Sequence, residues 1–345
     1  MTKTKTHGNN FDTIRLILAL SVMIFHSGIL FNLPEIARFS IGSAVQCFFI
    51  ISGYLIFQSW ERSPSLKEYA VKRAKRLLPG LWFCVFLTVL LGVFLTNLPI
   101  IEYFGLDLVK YSIANLSTLN FISPRLPNVF INNPESGFVN GSLWTLKVEI
   151  FFYISVPVLF CIFKKRIRFG VVFGFIIAML YKLFCLTYGD VLEVKFGQGL
   201  YKAIFDPHTS PFANMTFFLA GALFYYARNL LSKYYNSAAY LIIAVICCIM
   251  MRFDLLNSAI YPIALGFAVI YFAVYLPVKV KIPHKIGDLS YGVYIYHFPI
   301  YQTLIQLNLV DKIGYCKTIF IGYSLTLICA YLSWHFIESR FLKKR

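Results

Sequence analysis

Charged residues are scarce in this chain, and acidic ones are the scarcest. Only 14% of its 345 residues are charged, and 15 acidic residues stand against 32 lysines and arginines. Ordinary soluble domains carry roughly 25% charged residues. A chain that is 59% hydrophobic cannot hide its apolar surface in a soluble core. The composition therefore excludes an ordinary soluble domain and predicts an all-α polytopic membrane protein.

Signatures of several other protein classes are also missing. The sequence contains no P-loop, no nucleophile elbow and no CxxC pair. Most of its cysteines lie inside apolar runs, so we interpret them as packing residues and expect neither a disulfide framework nor a metal site. The basic residues form short blocks between apolar runs, which is the arrangement that orients membrane proteins and does not indicate nucleic-acid binding.

About ten apolar runs are long enough to cross a bilayer. We predict spans at 11–31, 41–60, 77–98, 142–163, 168–186, 212–228, 236–252, 258–276, 286–308 and 316–340. The connections alternate between basic and nearly neutral. The positive-inside rule places the basic set, a tail at 1–10 and both termini in the cytoplasm. The chain is predicted to be one membrane-embedded domain over 1–345.

Two connections on the outer side are long. The segment 99–141 is rich in proline, asparagine and glycine, and 187–211 contains two glycines and two prolines. Both compositions are typical of loops. Within the first, the stretch 105–120 is expected to form an interfacial helix. Long loops in a compact domain are usually functional, so both are predicted to serve the activity.

The first predicted span contains polar groups that are costly inside a membrane. Arg15 and His26 are eleven residues apart, which is about 16 Å along a helix and about 20° around it, so both lie on one face. Asp12 shares that face and is expected to pair with Arg15. Asp12 and Arg15 also fit an alternative interpretation as interfacial anchors near the cytoplasmic end. Buried charged groups usually mark a site.

The fourth predicted span carries a polar stripe of Ser142, Thr145 and Glu149 at helical spacing. Glu149 and His26 lie at similar depths, roughly 10 and 8 Å below the outer ends of their spans. A carboxylate beside an imidazole raises its basicity and fixes its tautomer, as a general base requires. A purely structural His–Glu pair is the alternative. Lys147 is expected to point away from Glu149.

The ninth predicted span presents Ser290, Tyr294, His297 and Tyr301 on one face, with Pro299 to bend the helix. His297 lies near the middle of the predicted membrane. Its side chain is interpreted either as an interhelical hydrogen-bond partner or as part of a cavity lining.

A basic block stands where the third predicted span begins. It comprises Lys72, Arg73, Lys75 and Arg76, with the two arginines on one face if the block is helical. Most such basic blocks serve only to fix the orientation of the chain in the membrane. The functional interpretation is a cytoplasmic anion site, because guanidinium groups clasp phosphate with two hydrogen bonds.

With these residues in view, the chain resembles the bacterial membrane acyltransferase-3 family. The resemblance lies in five motifs in register: Asp12-x-x-Arg15 with His26, the segment 47–55, Arg73-x-x-Arg76, Trp144-Thr-Leu-x-x-Glu149 within 141–149, and Ser290-Tyr…His297 within 289–297. Glu338-Ser339-Arg340 departs from the family's Glu-Lys-Pro, which leaves a role for Glu338 in doubt. The chain looks like the stand-alone kind, without a fused hydrolase-like domain.

The resemblance implies an O-acyltransferase of surface glycans. It assigns catalysis to His26 with support from Glu149 and Arg15, and coenzyme-A phosphate binding to Arg73 and Arg76, joined by Lys72 and Lys75. The cavity is expected to be lined by Asp12, Ser52, Ser142, Trp144, Thr145, Tyr294 and His297. The expected donor is acetyl-coenzyme A, with no resident cofactor. The acceptor is a surface polysaccharide or its lipid-linked precursor, and membrane lipid surrounds the protein in the bacterial cytoplasmic membrane.

Two other classes remain open at this point. A proton-coupled transporter also buries Arg, His and Glu at mid-membrane, although no inverted repeat is visible. A component of a glycan-export complex is the second. Within the enzyme hypothesis, His26 either deprotonates the sugar hydroxyl or briefly carries the acyl group itself.

Overall fold

A computed structural model describes residues 9–135, 137–233, 237–250, 260–283 and 285–342. In these ranges the regular elements are helices and no strand occurs. The α-helices are α1 Phe11–Leu30, α2 Pro34–Ala37, α3 Ala44–Arg62, α4 Leu66–Leu95, α5 Ile100–Tyr103, α6 Leu106–Leu116, α7 Trp144–Phe163, α8 Ile167–Leu200, α9 Pro211–Lys233, α10 Ser237–Met250, α11 Tyr261–Ile270, α12 Ser290–Gln306, α13 Leu309–Ile313, α14 Tyr315–Ser333 and α15 Ser339–Leu342.

Wider π-helical turns follow three of these helices, at Tyr201–Phe205, Tyr271–Tyr275 and Trp334–Glu338. Short 3₁₀ turns precede α7 and α8. The chain forms two compact units that alternate along the sequence. The first unit comprises Met1–Arg15, Val45–Tyr69 and Val148–Lys281, and the second comprises Leu16–Ala44, Ala70–Lys147 and Ile282–Arg345.

In the first unit, α3 and α9 cross in close contact because both place glycine at the crossing. A Cβ atom on Gly53 would lie 2.8 Å from the carbonyl carbon of Phe218, and one on Gly221 would lie 2.9 Å from the backbone nitrogen of Tyr54. Small residues let helix backbones approach in this way in membrane proteins, where dispersion contacts replace the hydrophobic effect between helices. A larger side chain at either glycine would force the helices apart.

A proline inside α7 also contributes to the first unit. Pro157 has no N–H for the carbonyl oxygen four residues earlier, that of Tyr153. The Tyr69 hydroxyl donates to that oxygen at 3.0 Å. The proline thereby creates an acceptor that joins the start of α4 to α7.

In the second unit, α12 packs along α14 and is buried along most of its length. Gly292 allows the close approach, because a Cβ atom there would lie 2.7 Å from Cα of Ala330. The buried face of α12 carries Tyr294, Tyr296, His297 and Gln302. Buried polar groups need partners, so this helix organises the polar contacts of its unit.

The outward faces of the helices are apolar. In the described part of the chain, four continuous helical segments are long and apolar enough to cross a membrane: Phe11–Leu30, Leu66–Leu95, Gly141–Phe205 and Tyr315–Leu342. Only 28% of the apolar window of Gly141–Phe205 is buried within the protein. A soluble helix would expose polar residues on such a face, so these surfaces are suited to lipid.

Each of the ten predicted spans coincides with a helix, which confirms the all-helical class. The count of about ten crossings and the cytoplasmic position of both termini stay predictions. Helix α6 lies within the stretch 105–120, and its position at the membrane interface stays a prediction. The predicted third span begins eleven residues early, at Leu66, so the basic block lies inside α4. Residues 1–8 of the predicted tail and the junction 251–259 lie outside the described residues.

The prediction of a loop over 187–211 needs correction. Helix α8 continues to Leu200 and passes directly into the π-helical turn that ends at Phe205. Only Gly197 leaves helical geometry, with φ 72° and ψ 157°. The glycines and prolines that suggested a loop mark a kink and the start of α9. The aliphatic residues between them favour a helix.

The other long connection is irregular in its described residues between α6 and α7, and side-chain amides fasten this part to α12. The Asn133 amide nitrogen donates to the backbone and side-chain oxygens of Gln302, both at 2.8 Å. Gln302 in turn donates to the carbonyl of Phe138 at 2.8 Å. Gln306 accepts from the Phe130 backbone N–H at 2.8 Å. The loop before α7 is therefore held by hydrogen bonds rather than by secondary structure.

Candidate active site

Two histidines meet inside the second unit. His26 on α1 and His297 on α12 are 2.9 Å apart between Nδ1 of His26 and Nε2 of His297. Their rings stack with centroids 5.0 Å apart, and the Phe298 ring packs edge-on against His26 at 5.3 Å. His297 is completely buried, whereas His26 keeps a partly exposed side chain. Of the two imidazoles, His26 is the one that an incoming molecule can reach.

The hydrogen bonds assign the tautomers of this pair. Nδ1 of His297 lies 2.8 Å from the carbonyl oxygen of Val293, which can only accept, so Nδ1 carries the proton. In a neutral His297 ring, Nε2 is then an acceptor. Nδ1 of His26 must therefore donate to it, which leaves the lone pair of His26 on Nε2. A lone pair on a reachable imidazole nitrogen is what a general base requires.

Two residues of the predicted polar stripe, Ser142 and Thr145, pack against α12, the helix that carries His297. The Tyr294 hydroxyl lies 2.8 Å from Thr145 Oγ1 and donates to the carbonyl of Ser142 at 3.0 Å. Ser142 Oγ donates to Asn140 Oδ1 at 2.6 Å. The structure thus brings Ser142, Thr145 and Tyr294 together, one helical turn before His297. Trp144, in the same turn of α7, is half-buried.

Pro299 explains why Asn140 belongs to this group. A proline at 299 leaves the carbonyl of Ile295 without its helical donor. Asn140 Nδ2 donates to that oxygen at 2.7 Å, and the Cys84 thiol does so at 3.3 Å. The predicted bend-forming proline therefore also supplies the acceptor that anchors the start of α7. Sequence reasoning missed Asn140, because nothing local links it to residue 295.

Glu149, Arg15 and Ser52 lie in the first unit. Glu149 accepts a hydrogen bond from the Tyr153 hydroxyl one turn later on α7. Arg15 forms the expected ion pair with Asp12, at 3.7 Å, and α1 is continuous from Phe11 to Leu30, as the single-face argument required. Ser52 is half-buried on α3. The predicted pairing of Glu149 with His26 stays a prediction.

The basic block forms one turn of α4 in the second unit. Arg73 and Arg76 are half-buried, whereas Lys72 and Lys75 are exposed. Arg76 donates through Nη2 to Asp288 Oδ2 at 2.5 Å. A carboxylate partner orients the guanidinium, whose planar set of N–H donors matches the oxygens of carboxylate and phosphate groups. The arrangement fits a phosphate site with a fixed arginine.

Asp288 was not singled out from the sequence, although a signal for it exists. Its Oδ1 accepts from the backbone N–H of Ser290 at 3.2 Å and from the Ser290 hydroxyl at 2.5 Å. An aspartate just before a helix with serine in its first turn is a helix-start pattern.

Lys182, inside a predicted span, was also missed. Its Nζ lies 4.2 Å from the centroid of the Phe217 ring.

Comparison with known proteins places this geometry in context. The chain belongs to the acyltransferase-3 family, whose profile, described as an acyltransferase domain, matches residues 9–335. It is therefore an acyl-transferring enzyme and an integral membrane protein. No cluster of three or more potential metal ligands occurs in the ranges that the structure describes.

Three relatives match nearly the whole of this chain. A protein of Shigella phage Sf6 named O-acetyl transferase is 30% identical over 97% of this chain and 96% of its own length. Nodulation protein 10 of Rhizobium leguminosarum bv. viciae is 27% identical over 98% of this chain and 94% of its own. A putative O-acetyltransferase of Staphylococcus aureus strain COL is 27% identical over 96% of this chain and 57% of its own. No solved structure matches the chain.

Proposed function

We propose that this enzyme is an O-acetyltransferase of the bacterial cytoplasmic membrane. It moves an acetyl group from cytoplasmic acetyl-coenzyme A to a sugar hydroxyl of a surface polysaccharide or of its lipid-linked precursor outside. The names of two relatives support acetyl as the group and oxygen as the acceptor. The observation that carries the proposal is the His26–His297 hydrogen bond, because it leaves a basic nitrogen on the reachable ring.

The donor site is the basic turn of α4. Coenzyme A carries three phosphate groups, and four basic side chains follow one another there within five residues. Arg73 and Arg76 are the half-buried pair and take the phosphates, while Lys72 and Lys75 add positive charge at the rim. The positive-inside rule puts this turn on the cytoplasmic side, where acetyl-coenzyme A is made.

The chemistry follows from the tautomer of His26. Nε2 of His26 takes the proton of the sugar hydroxyl as its oxygen attacks the thioester carbonyl carbon. The tetrahedral intermediate collapses by breaking the carbon–sulfur bond. The imidazolium returns the proton to the leaving thiolate, so the products are an O-acetyl ester and free coenzyme A. His297 Nε2 accepts a hydrogen bond from the Nδ1–H group of His26 throughout, which keeps the His26 ring oriented.

Glu149 and Arg15 take supporting roles in this scheme. A carboxylate stabilises the imidazolium that forms during transfer, and that is the role given to Glu149. Arg15, on the same helix as His26, is assigned to the path of the donor's pantetheine arm. Both assignments come from the family resemblance, and substitution at each position tests them.

The test is acetyl transfer by purified enzyme in lipid vesicles. We expect radiolabelled acetyl-coenzyme A and a de-O-acetylated glycan to yield labelled glycan and free thiol in equal amounts. Mild alkali should release the label, because O-esters are labile and amides are not. Label that stays on the glycan in alkali, or no transfer to any surface glycan or lipid-linked glycan, would contradict the proposal.

A further inference from the structure

A buried carboxyl group in the second unit takes no part in the mechanism above. Glu338 is 2% exposed and ends the π-helical turn Trp334–Glu338. Its Oε1 accepts from the Ser333 hydroxyl at 2.8 Å, and Ser333 Oγ accepts from the Tyr296 hydroxyl at 3.1 Å. Among the residues that the structure describes, Oε2 has no hydrogen-bond partner.

An unpaired buried carboxyl oxygen requires an explanation. Nearly all buried polar atoms in folded proteins have partners, and a bare carboxylate oxygen opposes folding. The two hydroxyl groups that lead to Glu338 each donate a hydrogen bond: Tyr296 donates to Ser333, and Ser333 donates to Glu338. Glu338 also lies in a π-helical turn, and such departures from α-helical geometry are common at functional sites.

The position of Glu338 relates it to the basic turn of α4. A Cβ atom on Gly80 would lie 3.3 Å from the carboxyl carbon of Glu338, so the carboxyl group packs beside Gly80. Gly80 follows Arg76 by four residues and shares its face of α4. Position 80 lies about 6 Å, roughly one helical turn, further along α4 than position 76, and the carboxyl group lies beside it.

We propose that Oε2 of Glu338 accepts a hydrogen bond from an amide N–H of the donor's pantetheine arm. This inference rests on the proposed donor, acetyl-coenzyme A. The arm leaves the phosphates, carries two amide N–H groups and must run from the basic turn into the protein. A carboxylate one turn deeper than Arg76 meets the arm where its amide groups pass. Glu338 is thus a donor-binding residue that recognises the arm rather than the nucleotide.

Calorimetry with two ligands tests this assignment on the full-length protein in lipid nanodiscs. Coenzyme A contains the arm, and adenosine 3′,5′-bisphosphate contains only part of the nucleotide half. Glu338→Ala should weaken coenzyme-A binding by about tenfold or more, as expected for a hydrogen bond to a charged group. Binding of the bisphosphate should stay within twofold of wild type. Arg76→Ala should weaken both ligands.

Two further variants separate binding from structure. Ser333→Ala removes the hydrogen bond to Oε1 and leaves Oε2 in place, so it should change coenzyme-A affinity by less than about threefold. Glu338→Gln keeps the shape of the side chain and should weaken coenzyme A selectively. Unchanged coenzyme-A affinity in both Glu338 variants, or an equal loss of both ligands in Glu338→Gln, would overturn the inference. Failure of wild-type protein to bind coenzyme A would overturn the donor proposal as well.

Discussion

Four of the site residues predicted from the sequence, two in each compact unit, differ in how far along the chain a hydrogen-bond or ion-pair partner lies. In the first unit, Arg15 has a partner three residues away and Glu149 has one four residues away. In the second unit, His26 meets a residue 271 positions later, and Arg76 meets one 212 positions later. Partners within one helical turn form as soon as the helix forms. Distant partners require the whole unit to fold, so the contacts of His26 and Arg76 depend on the tertiary structure of the second unit.

Under the proposed function, His26 in the second unit is the reacting group and Glu149 and Arg15 in the first unit assist it. Substitutions in the second unit that break the histidine pair should then affect the chemical step most directly. The predictions below test this ranking, from the largest expected effect on activity to the smallest.

The largest effect is expected for His26→Ala. Removing the base should lower acetyl transfer by at least about 10⁴-fold while coenzyme-A binding and membrane insertion stay intact. Transfer to isolated glycan over a range of pH is the measurement. His208→Ala, the same change at an exposed histidine of the first unit, is the control and should leave the rate unchanged. Near-normal turnover of His26→Ala would make His297 the next candidate base.

A smaller loss is expected for Glu149→Gln in the first unit. If Glu149 stabilises the imidazolium, the rate should fall by about 10²–10⁴-fold, in line with other acid–imidazole pairs. Combining it with His26→Ala should cost little more than His26→Ala alone, since groups that act as a unit are not additive. Glu102→Gln, at an exposed position, is the matched control. Fully additive losses would show that the two groups act independently.

His297 should matter through orientation. His297→Ala removes the acceptor for the Nδ1 proton of His26 and should lower kcat by about 10–100-fold with little change in KM. His297→Gln restores an acceptor oxygen and should recover part of the loss. A larger rise in KM than fall in kcat would instead indicate that His297 contacts a substrate. Steady-state kinetics with both substrates varied separates these outcomes.

Arg76 provides the smallest of the four effects. Arg76→Lys should weaken donor binding about tenfold, as much as Arg76→Ala, because lysine keeps the charge and loses the fork that serves Asp288 and phosphate together. Calorimetry with coenzyme A is the measurement, and Lys110→Ala at an exposed position of α6 is the control. Full affinity in an Arg73→Ala/Arg76→Ala double variant that inserts correctly would leave the block with a topological role alone.

The helices could be predicted from the sequence because apolar runs of bilayer length are a strong signal. The helical stretch 187–205 was missed because breaker residues were given more weight than the aliphatic residues between them. Helical spacing predicted Ser142 and Thr145 on a polar stripe of the fourth span, together with Glu149, and it predicted Tyr294 on a polar face of the ninth span. The His26–His297 contact was not foreseen, since it joins two helices from opposite ends of the chain and depends on how they pack.

The partners of Asn140 and Arg76 were beyond sequence reasoning for the same reason. The acceptor of Asn140 is a carbonyl that becomes available because Pro299 lies four residues after it, and the acceptor of Arg76 is at the start of another helix. Periodicity identifies which face of a helix is polar. It does not identify which other segment that face will meet.

The irregular connection before α7 has a consequence for how the protein responds to proteases. Segments as rich in proline, glycine and asparagine as this one are usually cleaved readily by proteases. However, the backbone N–H groups of Phe130, Gly137 and Val139 are all hydrogen-bonded, and Asn133 is tied to α12. A protease must draw about ten residues out in extended form to cut, and these bonds oppose that step. The connection should therefore remain uncut and exchange its amide hydrogens slowly, as a helix does.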